Sequence, residues 1–64
     1  MAERLIVSAQ IDESYQIAMM HGAFRRSELQ KSGMPCRLEG AKWDGSTARK
    51  GWRYILIMED KENG

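Results

Sequence analysis

Residues 52–58, WRYILIM, constrain the fold of this chain more than any other stretch. The segment is rich in aromatic and β-branched side chains, which are enriched in β-strands. From Tyr54 to Met58 every residue is apolar, so a strand here would need cover on both of its faces. Such strands belong in the middle of a sheet. We therefore expect residues 52–58 to form the central strand.

Two further segments are predicted to be strands. In residues 4–11, RLIVSAQI, apolar side chains recur at alternate positions, with Ile6 as the exception. A period of two is typical of a strand with one buried face. Residues 36–43 follow Pro35 and precede a polar, glycine-containing stretch, and we expect them to form a hairpin with residues 52–58.

The residues from Glu13 to about Ser32 favour a helix, with Asp12 as N-cap and Gly33 as the stop. Its apolar residues fall on two faces, one of which carries Ile17, Met20 and Phe24. One interpretation is a single helix, bent or weakened at Gly22, that is covered by a sheet on one side and by a partner chain on the other. The alternative is a break at Gly22. FRRSELQKSG would then be the second helix of a winged-helix-like domain, with the hairpin as its wing.

The preferred order is strand, helix, strand, strand in a single small α+β domain spanning residues 1–64. The N-terminal strand and residues 36–43 would flank the central strand, both antiparallel to it. A right-handed crossover would connect them through the helix. This arrangement is a split β-α-β unit with a three-stranded antiparallel sheet and one helix packed on one face.

Trp43 and Trp52 lie at the two ends of the predicted hairpin loop, WDGSTARKGW. A register that places them opposite each other forms a cross-strand aromatic pair, which stabilises a hairpin by about 0.5–1.5 kcal/mol beyond area burial. In a competing register Asp44-Gly45 makes a two-residue turn and separates the tryptophans. STARKG has the composition of a loop, so the tryptophan pair is preferred.

The tryptophan register also predicts the faces of the sheet. One face would carry Trp43, Trp52 and Tyr54, and the helix would pack on the other with Leu5 and Val7. The predicted pairs on the first face are Ala41–Tyr54, Glu39–Leu56 and Arg37–Met58, and those on the second are Leu38–Ile57 and Gly40–Ile55, joined there by Ala9 and Ile11.

A chain of 64 residues is marginal as an isolated fold, because so small a domain buries only about 60% of the surface of its unfolded chain. Cys36 is the only cysteine and His21 the only histidine, so neither an internal disulfide nor a zinc site is expected. We expect a homodimer in a reducing, cytoplasmic compartment. No apolar run approaches the roughly 20 residues of a membrane span.

Little in the sequence indicates catalysis. Cys36 and His21 could act as nucleophile and base only if the fold brought them together, and no third group supports such a pair. GSTARKG lacks the spacing of a phosphate-binding loop. We expect a non-enzymatic chain without a cofactor, a metal or a small-molecule substrate.

Charge is concentrated in the middle of the chain. Residues 25–53 carry eight Lys and Arg against three acidic residues, whereas each flanking segment carries one basic and three acidic residues. Within this region, Lys50 to Ile57 resembles the octapeptide on the central strand of RNA-recognition motifs. That resemblance implies base stacking on Trp52 and Tyr54. Arg53 and Ile57 depart from the pattern, which has a small residue and an aromatic at those positions.

Two functions are compatible with these features. The first is a regulatory DNA- or RNA-binding module, in which exposed aromatic rings stack on bases and cations contact phosphates. Its candidate residues are Arg37, Lys42, Trp43, Arg49, Lys50, Trp52, Arg53 and Tyr54 on the hairpin, with Arg25, Arg26 and Lys31 on the helix. The second is a regulator or inhibitor that docks the aromatic hairpin face on a larger protein, where Trp, Tyr and Arg are typical anchors.

Overall fold

The computed structural model describes residues 3–46 and 48–59 of the chain. Strand β1 spans Glu3–Val7, helix α1 Tyr15–Lys31, strand β2 Cys36–Asp44 and strand β3 Gly51–Glu59. The sheet has the order β1-β3-β2, and both neighbours of β3 are antiparallel to it. The predicted α+β fold with a central last strand is therefore confirmed.

Helix α1 starts later than predicted. Its N-cap is Ser14, whose hydroxyl accepts a hydrogen bond from the Ile17 N–H at 3.1 Å. Asp12 does not cap the helix, because its backbone is paired with Trp52 through two hydrogen bonds of 2.7 and 2.8 Å. The predicted stop is correct, since Gly33 adopts a φ of 86°, in the left-handed region that glycine tolerates best.

Gly22 lies inside a continuous helix, which excludes the winged-helix alternative. It is buried where α1 crosses the hairpin. A Cβ atom at this position would lie 2.7 Å from Leu38 Cδ1 and 3.0 Å from Tyr54 Cβ. The absence of a side chain at Gly22 is thus what allows the helix to approach β2 and β3 closely.

The hairpin has the predicted tryptophan register near its loop. Trp43 is opposite Trp52, Ala41 is opposite Tyr54, and β3 begins only at Gly51, so the Asp44-Gly45 turn does not form. Beyond Gly40 the register shifts by one residue at a β-bulge. Gly40 adopts a φ of 154°, which a residue with a side chain rarely adopts.

Three predicted pairs are wrong because of this bulge. The predicted pairs were Glu39–Leu56, Arg37–Met58 and Leu38–Ile57. In the structure Leu38 is opposite Leu56, Arg37 is opposite Ile57 and Cys36 is opposite Met58. Glu39 is the extra residue and has no partner in the ladder.

The helix packs on the face opposite to the predicted one. Leu38 and Tyr54 both lie against Gly22, and Leu56, which shares their face, is fully buried. The bulge moves Leu38 to this side, so the face that carries the aromatic residues also gains an aliphatic contact for the helix. Leu5 and Val7 pair with Ile57 and Ile55 and therefore lie on the other face. The prediction that Leu5 and Val7 lie on the helix face is thus wrong, and Ala9 and Ile11 lie beyond the end of β1.

Candidate interaction surfaces

The aromatic residues of the hairpin form a row with the start of the helix. Trp52 lies in the middle, with its ring centroid 5.5 Å from that of Tyr15 and 5.7 Å from that of Trp43, both in edge-to-face geometry. Trp52 is half-buried in this row, and Tyr54 is half-buried where it lies against Gly22 of the helix. The expected open stacking platform is therefore not formed, and of its three rings only Trp43 remains mostly exposed, at 55%.

Arg53 is held by groups of its own chain. Its Nε donates to Asp44 Oδ2 at 2.6 Å, and its Nη1 donates to the Ser8 carbonyl at 2.6 Å. Asp44 also accepts from the Ser46 hydroxyl at 2.6 Å and from the Ser46 N–H at 3.0 Å. These Ser46 hydrogen bonds, together with Arg53, hold the pKa of Asp44 well below its usual range. Arg53 thus links Ser8, which follows β1, to Asp44 of the hairpin.

Arg37 is paired as well. Its Nη1 donates to Glu3 Oε2 at 3.2 Å and to Glu59 Oε2 at 3.1 Å, which joins all three strands at one end of the sheet. Both carboxylates, Glu3 above all, raise the pKa of Arg37 further. An incoming phosphate would have to compete with two anions already in place.

The basic residues of the helix do not extend those of the hairpin loop. Arg25 pairs with Glu28, and the Arg26 carbonyl lies 3.8 Å from the Cys36 thiol, at the start of β2. The loop follows Asp44 at the other end of this nine-residue strand. At about 3.3 Å per residue the two groups are separated by more than 20 Å. Lys31 is the last residue of α1 and belongs to the helix group, not to the loop group.

Three basic candidates lie near the hairpin loop. Lys42 and Lys50 are exposed, and Lys42 is opposite Arg53 on the face away from the helix. Arg49 is exposed in the loop. Trp43 lies on the helix-bearing face, so the structure places it and Lys42 on opposite sides of β2.

A polar cluster joins α1 to the segment after β1. His21 Nδ1 lies 2.9 Å from Asp12 Oδ1 and 2.8 Å from Gln10 Nε2. Asp12 is buried, and its Oδ2 has no hydrogen-bond partner among the described residues. Cys36 is buried at the other end of the helix, so the fold does not bring it to His21.

A first exposed apolar surface lies on the helix side of the sheet; we call it the helix-side surface. It consists of the exposed side chains of Ile6, Met20 and Phe24 and the half-buried side chain of Ile17. Helix α1 packs on β2 and β3 but not on β1, which leaves Ile6 uncovered. His21 reaches Asp12 on the β1 side, and at 100° per residue Ile17 and Phe24 follow it on the same outer side of the helix. Phe24 is 70% and Met20 56% exposed.

A second apolar surface, the open face, is the side of the sheet away from α1. Leu5, Val7, Ile55 and Ile57 form its centre. Leu5 is 64% exposed, and no element of the described residues packs on this face.

The sequence showed that Ile17, Met20 and Phe24 share one helix face. It did not show that Ile6 lies beside them, because that depends on which face of the sheet receives the helix. None of these four residues was among the candidate site residues, which were chosen for charge and aromaticity on the hairpin and for charge on the helix.

Within residues 3–46 and 48–59, no three His, Cys, Asp or Glu side chains are grouped so that they could hold a metal ion. The one helix in this part of the chain is neither long nor apolar enough to cross a bilayer. No protein-family model, curated protein or solved structure matches the chain.

Proposed function

We propose that this chain is a small, non-enzymatic, cytoplasmic protein-binding module. Its helix-side surface receives an amphipathic helix of a larger protein. The observation that carries this proposal is the exposure of Phe24 and Met20 on the outer side of α1, together with a strand, β1, that α1 leaves uncovered. Contiguous exposed apolar side chains of this kind are typical of protein-binding sites.

The geometry suits a helix as the ligand. Ile17, Met20 and Phe24 have the spacing i, i+3, i+7, which makes one apolar stripe along α1. Packed helices have axes about 8–10 Å apart, so a helix beside α1 would lie over β1, with Ile6 beneath it. Such a partner would bury the stripe and the strand together.

The charges favour a protein over a nucleic acid as the partner. Arg25, Arg37 and Arg53 are each paired with a carboxylate of the same chain. Nucleic-acid affinity comes largely from phosphate neutralisation, which needs available cations. Three of the eleven residues proposed for that role are therefore already neutralised, and Trp52 and Tyr54 are partly covered.

Site-specific photocrosslinking tests the proposal. A photoreactive phenylalanine analogue at position 24, expressed in the native host, should give one discrete protein adduct. The same analogue at position 50, in the hairpin loop, is the matched control and should not. We expect Met20→Asp to abolish the adduct and 0.5 M salt to leave it unchanged, because the contact is apolar.

The exposure of Trp43 beside the loop cations Arg49 and Lys50 favours a second candidate, nucleic-acid binding at the hairpin end. It predicts quenching of Trp fluorescence by DNA or RNA oligonucleotides. The quenching should weaken steeply with salt and be lost in Lys50→Glu. This result, combined with no adduct at position 24, would replace the protein-binding proposal.

A further inference from the structure

The open face has the anatomy of a protein interface. Its apolar centre, defined above, is flanked by charged side chains at both ends of the strands. Ile57 lies between Leu5 on β1 and Arg37 on β2 and is only 7% exposed. Leu5 lies on the edge strand and is 64% exposed. An apolar centre with a charged rim is the usual composition of interfaces between proteins.

The two ends of this face differ in charge. At one end Arg37 lies between Glu3 and Glu59, which gives one cation and two anions. The other end carries Lys42 and Arg53 with Asp44, which gives two cations and one anion. Arg53 and Glu59 are six positions apart on β3, which corresponds to about 20 Å.

The positions along the face are also symmetric about its centre. Leu56 is the midpoint between Ile55 and Ile57 and also between Arg53 and Glu59. On β1 the residue paired with Leu56 is Ile6, which is the midpoint between Leu5 and Val7. A two-fold axis lying in the face, perpendicular to the strands and crossing Leu56, therefore places apolar residues over apolar residues and Arg53 over Glu59.

We propose that the open face binds the open face of a second copy of this chain, with the strands of the two sheets antiparallel. Ile55 then lies over the second copy's Ile57, and Leu5 over its Val7. The end with the excess cations meets the end with the excess anions, twice per dimer. In the parallel arrangement each end would meet its own like, and like charges across an interface are unfavourable.

This arrangement gives the chain the additional burial that a domain of 64 residues needs. Face-to-face sheets pack about 10 Å apart with their inner side chains interdigitated. The helices lie on the two outer sides of the dimer. Each helix-side surface therefore stays accessible, and the dimer does not depend on the protein-binding proposal.

Sedimentation equilibrium over about 1–500 μM tests the dimer. We expect a mass twice that of the 7.3 kDa chain at the upper concentrations. Leu5→Lys should raise the dissociation constant more than about tenfold, because it buries a cation in the apolar centre. Leu5 is mostly exposed in the single chain, so this variant should still fold, which far-UV circular dichroism can verify.

A charge exchange tests the antiparallel orientation. Lys42→Glu alone and Glu59→Lys alone should each raise the dissociation constant about fivefold, and the double variant should restore it to within about threefold of the wild type. Phe24→Asp, on the helix-side surface, is the control and should leave it unchanged.

A single-chain mass at every concentration would overturn the proposal. So would a dimer that Phe24→Asp dissociates and Leu5→Lys does not, because the helix-side surface would then be the interface. A dimer that loses stability with Leu5→Lys but shows no rescue in the double variant would refute the antiparallel orientation.

Discussion

At the scale of single residues, Gly22 has the most specific role in the packing of the helix. Glycine is unfavourable inside a helix by about 1 kcal/mol relative to alanine, so the sequence suggested a weak point. The structure gives it another role, because the Cβ and Cγ atoms of Tyr54 lie where a side chain at position 22 would begin. The helix is continuous through Gly22. The glycine is required there by the close contact with Leu38 and Tyr54, and not by flexibility.

We predict that Gly22→Ala destabilises the fold by about 1 kcal/mol net. Overpacking costs about 1–3 kcal/mol, since Tyr54 Cβ cannot move without its strand, and helix propensity returns only about 1 kcal/mol. Urea denaturation measures the change. Ser27→Ala, on the exposed side of the same helix, is the matched control and should be neutral or slightly stabilising. If both alanines stabilised the fold, Gly22 would not be a contact residue.

At the scale of elements, the strand order was predictable but the faces were not. WRYILIM is apolar on both faces from Tyr54 to Met58, so it was expected at the centre of the sheet. The two tryptophans indicated the register at the loop. The bulge at Glu39 involves one unpaired residue and a glycine conformation, which no hydrophobic pattern encodes. Because side chains alternate along a strand, one extra residue reverses every assignment beyond it.

The packing of the helix on the aromatic face explains why the candidate site was only partly predicted. Aromatic residues next to cations suggested an open platform, but Trp52 and Tyr54 provide the contacts for the helix. Arg37 pairs with two carboxylates that lie 22 and 34 positions away in the sequence. The pairing of Arg53 with Ser8 spans 45 positions, and it depends on the strand order. The helix stripe, by contrast, could be recognised from its spacing.

The two hydrogen bonds that Asp44 accepts from Ser46, together with its ion pair with Arg53, make stability depend on pH. The pKa of Asp44 is lowered in the folded state, so its contribution to stability is complete above the pKa of the unfolded chain, about 3.9. That contribution decreases as the pH falls below about 4 and is lost once the folded carboxylate is protonated.

We therefore predict that Asp44→Asn lowers the free energy of unfolding at pH 7, and that the difference from the wild type is constant down to about pH 5 and shrinks between pH 4 and pH 2. Urea titrations at a series of pH values measure it. The control is Glu28→Gln, which removes an exposed ion pair of the helix and should have little effect at any pH. A difference that grew at low pH would contradict the assignment.

At the scale of the whole molecule, one helix covers part of one side of a three-stranded sheet. Two apolar surfaces stay exposed, the helix-side surface and the open face. The core is small: Ala18, Cys36 and Leu56 are buried on the helix side of the sheet, and Ile57, on the open face, is the fourth buried apolar side chain of the described residues. The proposed dimer and the proposed partner helix would each cover one of the remaining surfaces. Stability and association should then be coupled, because a chain that is folded only marginally alone gains burial from each contact.

This coupling predicts that the thermal unfolding midpoint rises with protein concentration. Mass action favours the folded dimer over two unfolded chains, so raising the concentration a hundredfold, from about 2 to about 200 μM, should raise the midpoint by several degrees. Circular dichroism in cells of different path length measures it. Leu5→Lys should remove the dependence, whereas Phe24→Asp should preserve it, because only Leu5 lies on the open face. A midpoint independent of concentration in the wild type would mean that the single chain is stable by itself, with its open face bare.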